Sequence, residues 1–540
     1  MHTGTPLRSF ALLLAAAFVL VLSPDAVAQS PLAVAPGPST LNDAIENDTN
    51  RPADRVYVLQ REAYYGVSRE INNQGYTLRI AAAEGEGNRP VIYRSFDENG
   101  NSPGSRYFNL AGDAEFTGIY FLNADPNQGE AATVFALNNA GMRFVVDDCV
   151  FQGGRSRLIE VNVDDSKLFF SDSQFRNLVR NDGSSNGRPI DFRTVRVDSL
   201  VIENTSFLNV SGYILRYDGP ALNHVVINHN TFYTTGRELM TNAFATQVIN
   251  YEFTNNLVVD PHFYGQPPVE DGVLPQGVVP LDSLDAGIDN GYTESDRTLR
   301  IENNGYMITD DLQAFYDART ASGDPIDPRA LLDNGLQLYA AANPSVALSN
   351  NETYDLEFVA PPDLSDLITY LGNYRDGLPE PGSWLFGEED GALFPATQPP
   401  PEDLAYDTSS PAYTASTLGF PLGDLNYFPD EKAQWEAIVT SADEGPDASA
   451  FGVVRAYPNP TTGAFSLRFD LEEPARLAVR VFDALGRRVL DSEERTLAAG
   501  ASQEVRVDGA SLAPGVYLAR LTADVGGESR VRTVRLTVAR

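Results

Sequence analysis

A block of alternating apolar and polar residues recurs through the middle of the chain. Its clearest copies, MRFVVDDCVF, SKLFFSDSQF, DSLVIENTSF and NHVVINHNTF, end at Phe151, Phe175, Phe207 and Phe232. Two weaker copies end at Phe121 and Val258, so successive end points are 30, 24, 32, 25 and 26 residues apart. Alternation of this kind predicts short β-strands, and a repeat of about 25 residues predicts that these strands stack coil upon coil.

Each block also carries a bend signal three positions before its end, at Asp148, Asp172, Asn204 and His229. Asp and Asn favour tight bends because they tolerate left-handed backbone and bond their own chain. A second short strand pattern precedes most blocks, near residues 134–137, 158–161, 189–192 and 213–216. Two or three strands per turn predict a parallel β-helix. Two other folds compete with this prediction. A leucine-rich horseshoe would need a helical half-repeat, which is absent, and a jelly roll would not require the recurrent similarity between blocks.

The repeats resemble the right-handed coils of pectin-lyase-like proteins over about residues 40–262. We therefore predict an all-β chain with a right-handed parallel β-helix at 29–262, and a short capping helix over 41–45. Residues 263–445 are interpreted as a continuation of the coil or an inserted subdomain, followed by a linker. They include a helical pattern at 310–318 and a segment, 410–427, that resembles the closing part of bacterial β-helix proteins, where we expect the coil to resume.

The last part of the chain predicts a separate, small Ig-like β-sandwich, because short alternating strands are divided by frequent turn signals. The motifs YPNPTTG (457–463), VFDALGRRV (481–489) and LAPGVY (512–517) occur there in order. Residues 452–540 thereby resemble the type A C-terminal sorting domain of the type IX secretion system. The residues that carry this sorting motif are Pro458, Asn459, Pro460, Gly463, Gly515 and Tyr517. The resemblance implies the type IX machinery as a partner, and release or display at the outer-membrane surface of a Gram-negative-type bacterium.

The beginning of the chain is typical of a secretory signal peptide at 1–28, with Arg8, an apolar run and a small-residue cleavage site before Gln29. No other stretch approaches ~18 uninterrupted apolar residues, so we predict no membrane span after signal removal. Cys149 is the single cysteine, which excludes an intramolecular disulfide. Because Cys149 lies in an apolar strand pattern, we expect a buried structural thiol.

The chain is strongly acidic, with 39 Lys and Arg against 74 Asp and Glu and a formal charge of −35. This balance argues against a nucleic-acid partner, which requires a basic face, and against adsorption to anionic lipid. Residues 452–540 carry 13 basic and 11 acidic residues, a net charge of +2, so the residues before them carry −37. The difference marks a domain boundary.

The alternation also predicts which side chains point outward and lie near one another. Arg143, Lys167, Ser199 and His224 should form one outward column. On the preceding strands, Glu160, Asp191, Arg193 and Arg216 should gather within a few coil spacings of ~4.8 Å. With Lys167 in the coil, they are the candidate glycan-binding groove; a ladder of surface ion pairs is the alternative.

The sequence predicts no confident metal site. Asp147, Asp148, Asp164 and Asp165 offer oxygen ligands for Ca²⁺, or they are solvated turns. The catalytic residues of β-helix lyases are not recognisable, and whether the protein is an enzyme stays open. We therefore expect an exported protein that engages extracellular polysaccharide without a complete catalytic set. The alternatives are a polysaccharide lyase acting by β-elimination on a uronic-acid glycan, and a glycoside hydrolase.

Overall fold

The computed structural model describes residues 31–269, 275–285, 287–288, 291–387 and 402–440. Within 455–538 it describes all residues except 458–460, 462, 472–473, 484–487, 493–494, 513–514 and 526–527. The predicted signal peptide and the sorting-motif residues Pro458, Asn459 and Pro460 lie outside the described residues. No helix in the described part is long and apolar enough to cross a membrane.

The body of the chain is a parallel β-helix built from three sheets. The first sheet contains Pro31–Val34, Val56–Leu59, Leu78–Ala82, Ala114–Thr117, Arg143–Asp147, Ser166–Ser171, Val197–Glu203, Leu222–Asn228, Val248–Thr254, Thr298–Glu302 and Val346–Ser349. The second contains Gly37–Pro38, Tyr64–Val67, Val91–Arg94, Tyr120–Leu122, Val150–Gln152, Gln174–Leu178, Ser206–Val210, Thr231–Thr235, Leu257–Val259, Gly305–Met307 and Glu352–Thr353. The third contains Ile71–Asn72, Phe108–Leu110, Phe135–Leu137, Arg157–Val161, Arg188–Asp191 and Leu215–Arg216.

The predicted repeat end points form a stacked aromatic column inside the coil. Phe121, Phe151, Phe175, Phe207 and Phe232 are in register on successive strands of the second sheet. Adjacent ring centroids are 5.0, 4.5, 5.0 and 5.1 Å apart, with nearly parallel ring planes. Because each ring is fully or almost fully buried, this column is a major source of the apolar burial that stabilises the coil.

The predicted bends are confirmed. Asp148, Asp172, Asn204 and His229 all adopt positive φ, between 45° and 53°. They lie between a strand of the first sheet and the following strand of the second sheet, where the chain must turn sharply. Beside this turn, a buried amide ladder links later coils: Asn230, Asn256, Asn304 and Asn351 each bond the next through Nδ2 and Oδ1, at 2.8–3.0 Å. The ladder satisfies buried polar groups and fixes the coil register.

Helices lie at one end and along one side of the coil. They are Thr40–Asn47, Asn242–Ala245, Asp310–Ala321, Asn334–Ala342, Ser365–Arg375 and Pro429–Thr440, with 3₁₀ turns at Glu294–Asp296, Pro411–Thr414 and Leu425–Tyr427. The first places Leu41 and Ile45 in the core next to the first coils, as the predicted cap requires. The helical pattern at 310–318 is confirmed within the third of these helices.

The coil resumes earlier than the sequence suggested. Further coil strands begin at Thr298, whereas residues 410–427 form the last two 3₁₀ turns and pack against the outer face of the second sheet. The antiparallel pair Phe358–Ala360 and Asp403–Tyr406 belongs to the same lateral layer. Trp384 is buried in this layer. Its Nε1 donates to Asn209 Oδ1 of the coil at 2.5 Å.

Two buried aspartates connect the coil to the segments packed against it. Asp424 accepts hydrogen bonds from Ser206 Oγ at 2.6 Å and from Asn426 N at 2.9 Å. Asp260 accepts from both the backbone N and the Oγ1 of Thr309 at 2.7 Å. Burial raises the pKa of Asp424 to about 6 and the pKa of Asp260 to about 7, although these hydrogen bonds oppose the change.

We expect Asp260 and Asp424 to lower the free energy of unfolding as the pH rises from about 4 to about 7, against an opposite contribution from the buried His229 and His262, whose pKa values burial lowers to about 4. Both folded-state aspartate pKa values exceed the ~3.9 of an unfolded aspartate, so these two carboxyl groups bind more protons in the folded chain in this window. The resulting stability is complete below about pH 4 and is lost as the pH rises through 6 to 7. Urea unfolding at three pH values measures the pH dependence of the free energy of unfolding. Asp260→Asn should make this dependence weaker. The same pH dependence in Asp260→Asn and in the unchanged protein would contradict the prediction.

The described residues of the C-terminal part, within 455–538, form an all-antiparallel pair of sheets. One sheet contains Arg455–Tyr457, Ala464–Leu471 and Gly500–Asp508. The other contains Arg488–Asp491, Ala475–Asp483, Gly515–Val525 and Glu528–Val538, and Arg495–Leu497 pairs with the second of these. Their facing side chains form one apolar core, which includes Phe465, Val479 and Leu521. Gly463 precedes the strand Ala464–Leu471, Gly515 begins the strand Gly515–Val525, and Tyr517 is buried in the core.

Candidate functional site

Four of the five candidate groove residues meet on the outer face of the third sheet. Glu160 is in register with Asp191, and Asp191 is in register with Arg216 on the next coil. Arg193 follows directly after the strand of Asp191, in left-handed backbone with φ 53°. The inward neighbours Ile159 and Ile190 are buried in the core, as the alternation predicted.

Lys167 does not belong to this cluster. It lies on the first sheet, in the outward column predicted from the alternation, with Arg143 on one side and Ser199 on the other. His224 continues that column in register with Ser199. The Nζ of Lys167 pairs with Asp198 Oδ2 at 3.1 Å. The column is confirmed, and it is a separate surface from the cluster on the third sheet.

Two arginines that the sequence analysis missed complete the cluster. Arg157 and Arg188 are in register at the start of their strands, each three residues before a carboxylate. Arg157 Nη2 lies 2.9 Å from Glu160 Oε1, and Arg188 Nη1 lies 3.1 Å from Asp191 Oδ2. The signal was present in the sequence, since an arginine and an acidic residue recur at the same spacing on two successive coils. We call Arg157, Glu160, Arg188, Asp191, Arg193 and Arg216 the arginine ladder.

The carboxylates of the arginine ladder are buried beneath guanidinium groups. Arg193 approaches Glu160 Oε1 through Nη2 at 2.5 Å and through Nε at 3.1 Å. Asp191 is fully buried, and Arg216 Nη1 lies 3.5 Å from its Oδ2. Burial acts to raise the pKa of Glu160, but the hydrogen bond from Arg193 and the charge of Arg157 together lower it. Glu160 is therefore held as a carboxylate. In this state it can form ion pairs but cannot donate a proton.

The guanidinium groups nevertheless remain accessible at the surface. The side chains of Arg157, Arg193 and Arg216 are 23%, 38% and 31% exposed. A guanidinium carries five N–H donors, so one carboxylate partner does not use all of its hydrogen-bonding capacity. The surrounding stretch, residues 155–237, has ten basic and nine acidic residues, a net charge of +1 in a chain of −35. The arginine ladder has four guanidinium groups and two carboxylates, and Asp218 also pairs with Arg216 at 2.6 Å, so these residues together carry a net charge of +1.

The predicted calcium ligands take part in other interactions. Asp148 pairs with Arg89, and Asp147 Oδ1 accepts from Ser171 Oγ at 2.7 Å. Asp164 Oδ1 accepts from the backbone N of Arg196. Across the described residues, no three His, Cys, Asp or Glu side chains are grouped so that they could hold a metal ion. Cys149 is buried, and burial raises the pKa of its thiol to about 12, which agrees with the predicted structural thiol.

Comparison with known proteins identifies the C-terminal part of the chain. Residues 455–534 match the family described as the secretion system C-terminal sorting domain. No curated protein matches the chain. Dimeric latent PorU from Porphyromonas gingivalis is similar over 16% of this chain and 9% of its own, with 17% identity and a TM-score of 0.14. That likeness is too limited to carry an argument.

The sorting-domain match establishes where the protein acts. It marks the chain as cargo of the type IX secretion system, so the protein interacts with that machinery. The protein is secreted or held at the outer-membrane surface of a Gram-negative-type bacterium. The parallel β-helix is exported as part of this cargo.

Proposed function

We propose that the protein binds an acidic polysaccharide outside the cell through the arginine ladder, without cleaving it. The observation that carries the proposal is the convergence of four guanidinium groups on two buried carboxylates along adjacent coils. Guanidinium groups recognise carboxylates through paired, charge-assisted hydrogen bonds. A uronic-acid chain carries one such carboxylate on each sugar, and the coils repeat at a spacing of ~4.8 Å.

The geometry supports binding more than catalysis. A hydrolase needs one carboxylic acid with a raised pKa beside a second carboxylate. In the arginine ladder the pKa of Glu160 is lowered, and Asp191 is fully buried against Arg188 and Arg216. Other carboxyl groups do have a raised pKa. Asp260 and Asp424 are buried in the contacts between the coil and its lateral layer, and Glu130 accepts a hydrogen bond from the backbone N of Arg155, but none of the three belongs to the ladder.

The test is binding of polygalacturonate and alginate by isothermal titration calorimetry at low, fixed salt, with and without Ca²⁺. The double variant Arg193→Gln/Arg216→Gln should lose at least about tenfold in affinity, or about 1.4 kcal/mol. Arg143→Gln is the matched control, because it removes an exposed, ion-paired arginine from the first sheet. It should bind like the unchanged protein.

Any of three results would overturn the proposal. The first two are equal affinity in the double variant and the control, and no binding to either acidic glycan. The third is a rise in ultraviolet absorbance from unsaturated products, which would make the protein a polysaccharide lyase. Circular dichroism of each variant shows whether the coil is intact.

A further inference from the structure

A second candidate site lies next to the arginine ladder. A cleft of about 1090 Å³ opens between the turn at residues 181–183, which follows Gln174–Leu178, and the end of helix Ser365–Arg375 with the segment after it. Asn181 Nδ2 donates to Gly382 O at 2.8 Å, which joins the two walls. The turn connects the second sheet to Arg188–Asp191, so the cleft and the ladder are parts of the same coil.

The lining of the cleft includes a partly exposed aromatic ring in a fixed position. Tyr374 is 38% exposed. Its ring stacks on Tyr370 with centroids 5.8 Å apart and contacts Tyr264 at 5.1 Å. The hydroxyls of Tyr264 and Tyr370 are hydrogen-bonded at 2.9 Å, and Tyr370 packs on the buried Trp384 at 4.0 Å. Binding to this ring would therefore cost little side-chain entropy.

The turn approaches Tyr374 closely enough to require glycine. Gly183 has φ +69°, and a Cβ at this position would lie 2.3 Å from the Tyr374 hydroxyl. The close contact positions the tyrosine from the opposite wall. Leu378, which is also exposed, extends the apolar part of the lining.

Polar groups surround the ring, and their charges are largely balanced. Asp182 pairs with Arg180 at 2.7 Å, and Asp324 pairs with Arg375 and Arg319 at 2.6 and 2.7 Å. The three carboxylates of the lining, Asp182, Asp324 and Glu380, are therefore matched by three guanidinium groups. The cleft offers no excess positive charge to a uronate or a sulfate ester, whereas its carboxylates can accept hydrogen bonds from hydroxyl groups.

We infer that this cleft binds a neutral pyranose unit of a polysaccharide, with the sugar stacked on Tyr374. A pyranose has an apolar C–H face that fits an aromatic ring, and an equatorial belt of hydroxyls that fits carboxylate and amide acceptors. The inference rests on the proposed role in polysaccharide binding and adds a second sugar class. The arginine ladder takes acidic units, and the cleft takes neutral ones.

The test uses the full-length protein and immobilised neutral oligosaccharides of gluco, galacto, manno and xylo configuration. At least one should bind, and Tyr374→Ala should weaken that binding at least about tenfold. Tyr374→Phe should retain it, because the ring is kept. Tyr64→Ala is the matched control, since Tyr64 is a 43% exposed tyrosine on another part of the coil. Absence of binding to the whole set, or equal binding by Tyr374→Ala, would overturn the inference.

The two binding proposals fail separately. Arg193→Gln/Arg216→Gln should leave neutral-sugar binding unchanged, and Tyr374→Ala should leave polygalacturonate binding unchanged. The unmodified protein could fail to bind acidic glycans and still bind neutral sugars in a Tyr374-dependent way. That result would contradict the proposed role of the arginine ladder and support the role of the cleft. The opposite pattern would contradict the cleft and leave the ladder supported.

Discussion

Replacement of Phe175 by alanine should lower the free energy of unfolding by about 3–5 kcal/mol. Phe175 stacks between Phe151 and Phe207 at centroid distances of 4.5 and 5.0 Å, and it is fully buried. Its removal leaves a cavity in the middle of the column, where the rigid coils on both sides oppose collapse. Urea unfolding followed by far-ultraviolet circular dichroism measures the loss.

Phe169→Ala is the control for this substitution. Phe169 is in register with Val145 and Val201 on the outer face of the first sheet, and it is half-buried. Its truncation should cost about 1 kcal/mol or less, because it leaves an indentation in the surface and not an internal cavity. Equal losses of unfolding free energy for Phe175→Ala and Phe169→Ala would contradict the stabilising role of the aromatic column.

Replacement of Glu402 by alanine should destabilise the lateral layer by about 3–5 kcal/mol. Glu402 Oε2 and Oε1 lie 2.8 and 2.9 Å from the Nη1 and Nη2 of Arg176, and the two side chains are 3% and 2% exposed. Without Glu402, the guanidinium stays buried with hydrogen bonds only to neutral acceptors, Phe386 O at 2.9 Å and Gln174 Oε1 at 3.4 Å. Trp384 and Trp435 both follow the last coil strand in the sequence, so tryptophan fluorescence during urea unfolding reports on the segments packed against the coil.

The double variant Arg176→Met/Glu402→Leu separates the cost of an unpaired charge from the value of the pair. Apolar residues of similar volume often replace a buried ion pair without loss. The double variant should therefore recover most of the stability that Glu402→Ala loses. A double variant as unstable as Glu402→Ala would show that the pair itself, and not the stranded charge, provides the stability.

The arginine ladder illustrates how far a candidate site can be predicted from sequence. The period of two along a strand identified Glu160, Asp191 and Arg216 as neighbours, because coil stacking turns sequence repeats into spatial columns. Lys167 was grouped with them because it is a rare lysine in the coil, but residue type does not determine which sheet a side chain occupies. Arg157 and Arg188 were missed because they lie at strand ends, outside the alternating core pattern.

The sequence by itself determined the coil, its bends, its aromatic column and the sorting domain. In a parallel β-helix each strand pairs with the strand one repeat away, so a local alternation at a regular spacing already contains the tertiary contact. The lateral layer and the cleft depended on the tertiary structure. Arg176 meets Glu402 across 226 residues, and Trp384 meets Asn209 across 175 residues. Such single polar contacts do not recur at a regular spacing in the sequence. Their partners can be identified only in the folded chain, where the later segments pack against the coil.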